Sequence, residues 1–546
     1  MNLLYCNGGE LPAAEQTETA EKGESYKMVL VWINKPQFEY DIHSLVKAFF
    51  PAEEVKVYCV EEETGDGDKK WKSKGTDHSS ENNKEDIDIY IRFLKNRIEM
   101  ELGRQHTGNL ADRQEAQHMS GEASAGGTDG CQAECPEGMQ RTDVKNILKQ
   151  LIYQELSRYL GKELPWGTLT GIRPTKIPMA MLEEGKGDEE ILNSMRRVYW
   201  ISDGKGRLSL DIAKRERRLL SGLHYKDGYS LYIGIPFCPT TCMYCSFTSY
   251  PISVWKKRVG DYLDALEKEI SYVAKSCQGK ILDTVYIGGG TPTTLEPAEM
   301  ERLFQMIQRN LNLESVQEFT VEAGRADSIT REKLQVLKKY GITRISVNPQ
   351  TMKEETLRFI GRKHTVGQVK DAFALAREEG FDNINMDIIL GLPAETEEDV
   401  RHTAEEIRKM NPDSLTVHSL AIKRASALSQ WIEKNGIQTL HNTDLTMEIA
   451  AEAAAEMGMH PYYLYRQKNM SGNLENVGYA REGKYGIYNI LIMEEVQTIV
   501  ACGAGSISKR VYPDGRIERC ENVKDVSQYI GRIGEMIERK RALLED

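Results

Sequence analysis

A chain of 546 residues is too long for one ordinary core and predicts two or three domains; 40% hydrophobic and 28% charged residues place it in the globular class. A formal net charge of −12 argues against a general nucleic-acid or anionic-membrane surface, since either wants a basic stripe. No apolar run approaches the ~20 residues of a membrane span, the start lacks a signal-peptide pattern, and ten cysteines in this length are not disulfide density, so the cytoplasm is the expected compartment.

In chain order, residues 27 to 33, an amphipathic stretch from Ile42 to Phe50, then Val55 to Val60 and Ile87 to Phe93 predict a small α/β domain over residues 1–160. Within it, 61–86 and 101–142 are polar and glycine-rich and are expected to be disordered insertions. Cys131 and Cys135 fall in the second insertion, where no flanking strand, helix or third ligand is evident, and are read as incidental. A periodic helix runs from Val144 to a glycine cap at Gly161. Residues 161–227, opening with Gly- and Pro-punctuated sequence, are expected to be a connector.

From 228 to 440 strands and helices alternate. Strands are predicted at 231–235, 281–287, 318–323, 344–348, 383–389 and 414–420, with helices beginning near Val254, Pro297, Thr330, Thr365 and Thr396. Thr330 is a helix cap with a stop at Gly341, and Thr396 to Asp399 is a capping box. Six βα units in a row predict a parallel sheet, open or closing into a partial (β/α)6 barrel, and in such barrels the chemistry sits at the carboxyl ends of the strands. Residues 441–546 are expected to form a C-terminal α+β region over the substrate.

The first of these strands runs into Cys238, Cys242 and Cys245, spaced CxxxCxxC after Pro236. Thiolates are the usual ligands of iron–sulfur clusters, and three of them leave one iron of a four-iron cluster open to a ligand. A zinc knuckle would want a second CxxC or a histidine pair downstream, and none follows. The second strand ends in Gly288-Gly289-Gly290-Thr291-Pro292-Thr293, where bare backbone can approach a ligand; without a following Gly-Lys-Ser/Thr it is not a nucleotide-phosphate loop. Further polar residues stand at later strand ends: Glu322, Asn348-Pro349-Gln350, Gly361-Arg362-Lys363-His364 and Asn385-Met386-Asp387. Pro461 to Met470 mixes tyrosines with Arg466 and Lys468, which suits either a buried strand or a surface for a flat ring with carboxylates.

The CxxxCxYC motif resembles the radical S-adenosylmethionine (SAM) superfamily, and the GGGTPT loop with the other strand ends resembles its oxygen-independent coproporphyrinogen III oxidase family, especially the coproporphyrinogen dehydrogenase branch. The resemblance covers residues 228 to about 510. It implies a 4Fe-4S cluster on Cys238, Cys242 and Cys245, with SAM on its open iron and Tyr232, Gly289, Glu322 and Ile507 in that SAM's pocket. Tyr244, Gly290, Thr291, Gln350, Arg362, Asp387 and Ala421 match positions lining a second SAM in the family's oxidase. Two departures stand out: Phe247 occupies the place of a further cysteine in the oxidase pattern, as in relatives that serve as haem chaperones, and the N-terminal domain is not the oxidase's own. The implied activity is anaerobic decarboxylation of two propionates of coproporphyrinogen III to vinyls, with a tetrapyrrole substrate and a reduced flavodoxin or ferredoxin-type electron donor. A haem-binding chaperone, or a radical SAM enzyme acting on haem, is the alternative.

Overall fold

Apolar runs of four to nine residues, too short for core helices and separated by amphipathic ones, are what a parallel sheet covered by helices needs. In the computed structural model residues 28–51, 53–61, 72–73, 87–103, 130–246, 249–423, 426–435, 440–467 and 474–545 are described. The chain divides into two compact units, one of residues 1–43 and 53–137, the other of 44–52 and 138–546.

The larger unit is built on an eleven-stranded sheet. Its strands are β1 (Gly228–Ile235), β2 (Ile281–Gly289), β3 (Glu318–Gly324), β4 (Arg344–Val347), β5 (Ile384–Leu390), β6 (Ser414–Ser419), β7 (His460–Tyr465), β8 (Asn476–Ala480), β9 (Thr498–Cys502), β10 (Ile507–Val511) and β11 (Ile517–Glu521). β1 to β6 lie side by side in chain order and parallel, the partial (β/α)6 barrel expected from the sequence. The intervening helices begin where their caps predict. Thr330 accepts from the Lys333 amide, and Thr365 and Thr396 each close a capping box with Gln368 and Asp399. After β1 the long helix is Val259–Ser276, preceded by a single turn at Ile252–Trp255.

The C-terminal region does not form a separate layer. β8 pairs antiparallel with β6 and carries β7 outside it, whereas β9 pairs parallel with β1 and carries β10 and β11. It thus extends both edges of the barrel sheet. Gly478 of β8 has the Tyr463 ring where a side chain would be, a Cβ there falling 1.9 Å from the ring.

Two expectations are corrected. Residues 161–227 are not a plain connector: helices Lys176–Glu183, Asp188–Tyr199 and Asp203–Leu220 bury Leu182, Ile191, Leu192, Met195, Leu210 and Ile212 in the same core as β1. Their high charge hides an amphipathic pattern whose apolar face is narrow. Nor is 101–142 wholly an insertion. Gly130–Glu134, which includes Cys131, is a strand paired antiparallel with Arg97–Gly103, and a helix begins at Arg141. Residues 62–71, 74–86 and 104–129 lie outside the described residues.

In the smaller unit Met28–Ile33 pairs parallel with Glu54–Glu61 and with Ile87–Phe93, and the burial alternates along each central strand. That period of two is the signature of a sheet with one covered face.

The core of the larger unit holds a fully buried ion pair. Lys540 Nζ lies 2.6 Å from Glu269, and the same carboxylate accepts from the Gly503 amide, Tyr529 and Asn522. Lys540→Met would strand this carboxylate and is expected to cost about 3–5 kcal/mol. The double variant Glu269→Leu/Lys540→Met should recover much of that loss, and urea unfolding of the single and double variants checks both outcomes.

Candidate active site

The three motif cysteines lie in the segment between the end of β1 and Tyr250, which has almost no regular structure of its own. Phe237 and Cys238 pair briefly with Tyr250 and Pro251, and the rest of the segment is held by its neighbours. The Gly290 amide donates to Ile235 O (2.8 Å) and the Thr291 amide to Phe237 O (2.7 Å), tying the segment to the end of β2. The Met243 amide donates to Ile360 O (3.0 Å) and the Thr240 hydroxyl to Gly361 O (3.0 Å), tying it to the turn after β4.

These approaches require glycine. A Cβ on Gly290 would stand 2.5 Å from the Phe237 carbonyl, and one on Gly288 2.8 Å from the Glu322 carboxyl, while Gly289 has φ +107°. The run reads from sequence as bare backbone for a ligand; it also lets the second strand clamp the cysteine segment.

The thiols are partly exposed, and Cys238 Sγ is 3.6 Å from Thr291 Oγ1. Burial pushes the Cys238 thiol up to about 11, with Cys242 and Cys245 adding to it and Thr291 opposing, so the thiolate needs a cation to form. Among the described residues no three His, Cys, Asp or Glu side chains converge on one point fit for a single metal ion. A 4Fe-4S cluster asks for something different, since each thiolate takes its own iron, and three neighbouring, separated thiols fit it. Cys277, Cys502 and Cys520 are buried core thiols.

Beside the cysteines an aromatic stack faces a carboxylate. Tyr232 and Tyr286 are register partners on β1 and β2, and Tyr488 stacks on both, 4.4 Å from Tyr286 between centroids. Tyr286 donates to Glu322 at 2.6 Å. Burial pushes the Glu322 carboxyl up to about 7, with the charge of Asp387 adding and Tyr286 and the Gly289 amide opposing.

A second cluster sits at the ends of β4 and β5. Arg362 donates to Asn348 O (2.6 Å) and to the Tyr244 hydroxyl (3.2 Å). Gln350, at φ +70°, bridges by backbone to β5: its amide donates to Asp387 O and its carbonyl accepts from the Ile389 amide. Asp387 accepts from Asn385 (2.6 Å), with His418 Nε2 at 3.8 Å. Burial would raise the Asp387 pKa, but His418, Asn385 and Thr416 outweigh it and hold it below the ordinary value. Arg362 and Asp387 do not pair with each other.

Ala421 lies just past β6. Ile507 starts β10, two strands from Tyr232, and is 44% exposed. Phe247 and Lys468 to Met470 lie outside the described residues. Of the two readings of Pro461 to Met470, the buried strand holds for β7: Tyr462 and Tyr463 are buried in the core, with Tyr465 half-buried against them. Arg466 donates to Leu169 O and stands over Trp166. Tyr286, Tyr488, Arg325 and His418 were not singled out from sequence, although Tyr286 and His418 sit on strands already assigned.

Glu322 gives a pH-dependent test. Its folded pKa is raised above 4.5, so its contribution to stability is full below that value and lost as pH rises through about 7. The stability of cluster-free wild type relative to Glu322→Gln should therefore fall between these limits and level off above, as thermal unfolding across pH would record.

Comparison with known proteins follows the same residues. The radical SAM superfamily model matches residues 232–407. The oxygen-independent coproporphyrinogen-III oxidase-like protein HemZ of Bacillus subtilis is 43% identical over 408 residues, 74% of this chain and 81% of that protein. The heme chaperone HemW of Bacillus subtilis is 33% identical over 308 residues, 56% of this chain and 76% of that protein. The solved coproporphyrinogen III oxidase HemN of Escherichia coli aligns at 24% identity with a TM-score of 0.46, over 59% of this chain and 73% of its own.

Proposed function

Because the chain belongs to the radical SAM superfamily and, within it, to the oxygen-independent coproporphyrinogen III oxidase family, we propose that it oxidatively decarboxylates coproporphyrinogen III to protoporphyrinogen IX without oxygen. The family uses a 4Fe-4S cluster and SAM, which supply a one-electron reductant and a 5′-deoxyadenosyl radical. Cys238, Cys242 and Cys245 would hold the cluster, and Tyr232, Gly289, Glu322 and Ile507 the SAM upon it. Tyr244, Gly290, Thr291, Gln350, Arg362, Asp387 and Ala421 would line the space for a second SAM. A reduced flavodoxin or ferredoxin-type protein would supply the electron.

The observation that carries this reading is the state of Arg362. It is 6% exposed, its Nε has no hydrogen-bond partner, and no carboxylate lies within ion-pair distance among the described residues. The neighbouring Asn348 Oδ1 is likewise buried and unpartnered. A buried guanidinium with no carboxylate beside it is costly, so Arg362 suits a ligand that brings a carboxylate, as SAM and a propionate both do, while Asn348 Oδ1 can only accept and suits a donor such as an ammonium. Arg362 makes no ion pair with Asp387; the side chains it faces are Tyr244 and Cys242.

A second reading, a haem-binding chaperone, draws on the similarity to HemW and on Phe247 in place of the oxidase pattern's cysteine. Anaerobically reconstituted protein with SAM, a reductant and coproporphyrinogen III, followed by mass analysis of the tetrapyrrole, separates the two. Loss of two carbon dioxide equivalents is expected; stable haem binding with no product would favour the chaperone. Arg362→Ala should keep its iron and still cleave SAM slowly, yet convert no coproporphyrinogen.

A further inference from the structure

We propose that Arg325 is a positioning residue that directs its guanidinium at the Cys242 sulfur and thereby raises the reduction potential of the cluster this thiolate would hold. The inference rests on the reading of Cys242 as a cluster ligand.

Arg325 follows directly on β3, after Gly324 has turned the chain at φ +47°, and is 2% exposed. Its fork is divided between two duties. Nε and Nη2 both donate to Asp327, at 3.0 and 2.7 Å, a bidentate hold that fixes the plane of the group. Nη1 is left facing the cysteine segment, where it donates to Thr240 O (3.1 Å) and Thr240 Oγ1 (2.8 Å) and lies 4.0 Å from Cys242 Sγ.

Asp327 is itself fixed. His364 Nδ1, on a fully buried side chain, stands 3.8 Å from it; burial would raise the Asp327 carboxyl, but His364 and the Arg325 guanidinium outweigh it and keep the carboxyl well below its ordinary pKa. The guanidinium thus has its counter-ion at Nε and Nη2, while Nη1, held by Thr240, carries its positive charge to within 4.0 Å of the Cys242 sulfur. A lysine could carry the charge but could not hold Asp327 through two nitrogens while a third reaches the loop.

A donor aimed at a ligating sulfur draws electron density from it and favours the reduced cluster, one of the levers by which proteins set iron–sulfur potentials. Because Thr240 shares the same nitrogen, Arg325 also fixes where Cys242 stands. Mere bracing of the loop would alter iron retention but leave the potential of whatever cluster remained unchanged.

The test is a redox titration of the full chain, reconstituted anaerobically and followed by the paramagnetic signal of the reduced cluster, with iron counted per chain. Arg325→Met is expected to retain its iron and to be reduced about tenfold less readily at a given potential, a shift of about 59 mV downward for a one-electron couple. A wild-type midpoint at full iron content would overturn the proposal. Should Arg325→Met fail to load iron, Arg325→Gln replaces it; a lowered midpoint supports the assignment and an unchanged one refutes it. Cys242→Ala is run alongside: if it binds iron as fully as wild type, the ligand assignment fails, a result independent of the Arg325 midpoints.

Discussion

If Cys238, Cys242 and Cys245 are to share one inorganic cluster, as proposed above, they must be presented by a stretch of chain that is neither helix nor extended strand, because regular backbone would turn them to different faces. Such a stretch pays its ordering entropy without a ladder of hydrogen bonds to offset it, and here the offset comes from the strand ends around it. The end of β2 supplies two amides to Ile235 and Phe237, the turn after β4 supplies two carbonyls to Thr240 and Met243, and Arg325 after β3 completes the enclosure. Much else follows from that arrangement. The glycines are needed because the backbones touch, and the parallel sheet is needed because only parallel strands bring successive ends to one side.

Buried charge is matched unevenly across the molecule. Away from the site two buried lysines are matched, Lys540 with Glu269 and Lys205 with Glu475, whereas Glu216 is buried with both carboxyl oxygens unpartnered. At the mouth of the barrel the matching is also incomplete. Glu322 tends towards its neutral form near pH 7, and Arg362 is buried without an anion. Buried groups whose protonation or pairing is unsettled mark sites where a ligand supplies what the protein does not. Arg325 lies between these cases, paired with Asp327 on one side and turned to sulfur on the other.

The barrel was legible in the sequence because each strand is a short apolar run and each helix carries its own start signal; Thr330, Thr365 and Thr396 cap helices within a residue of where the pattern puts them. The cysteine spacing and the glycine run were legible because few structures need them. What could not be read were relations between distant segments. Nothing local in Thr498–Cys502 says that it pairs beside β1, and nothing in Asn476–Ala480 says that it closes the other edge. The helices of 161–220 are not legible because charged residues dominate their windows, and Tyr462 and Tyr463 leave strand and binding surface undecided because aromatic side chains serve cores and pockets equally. Arg325 carried a faint signal, a charged residue immediately after a buried strand.

The position of β1 between β2 and β9 bears on how the molecule is made. β2 follows β1 closely, but β9 lies far along the chain; Ser230 on β1 donates to Gln497, 267 residues away, at the start of β9. While synthesis proceeds from the amino end, the strand leading into the cysteines has one side paired and the other side an open edge until residues 498–502 emerge. The site is therefore the last part of the barrel to be enclosed although its cysteines are among the first parts of the barrel made, and a nascent chain carries its motif thiols on an unsealed sheet while residues 246 to 502 are added. Long-range closure of this kind is slow, so the edge of the sheet beside the cysteines is sealed late in folding.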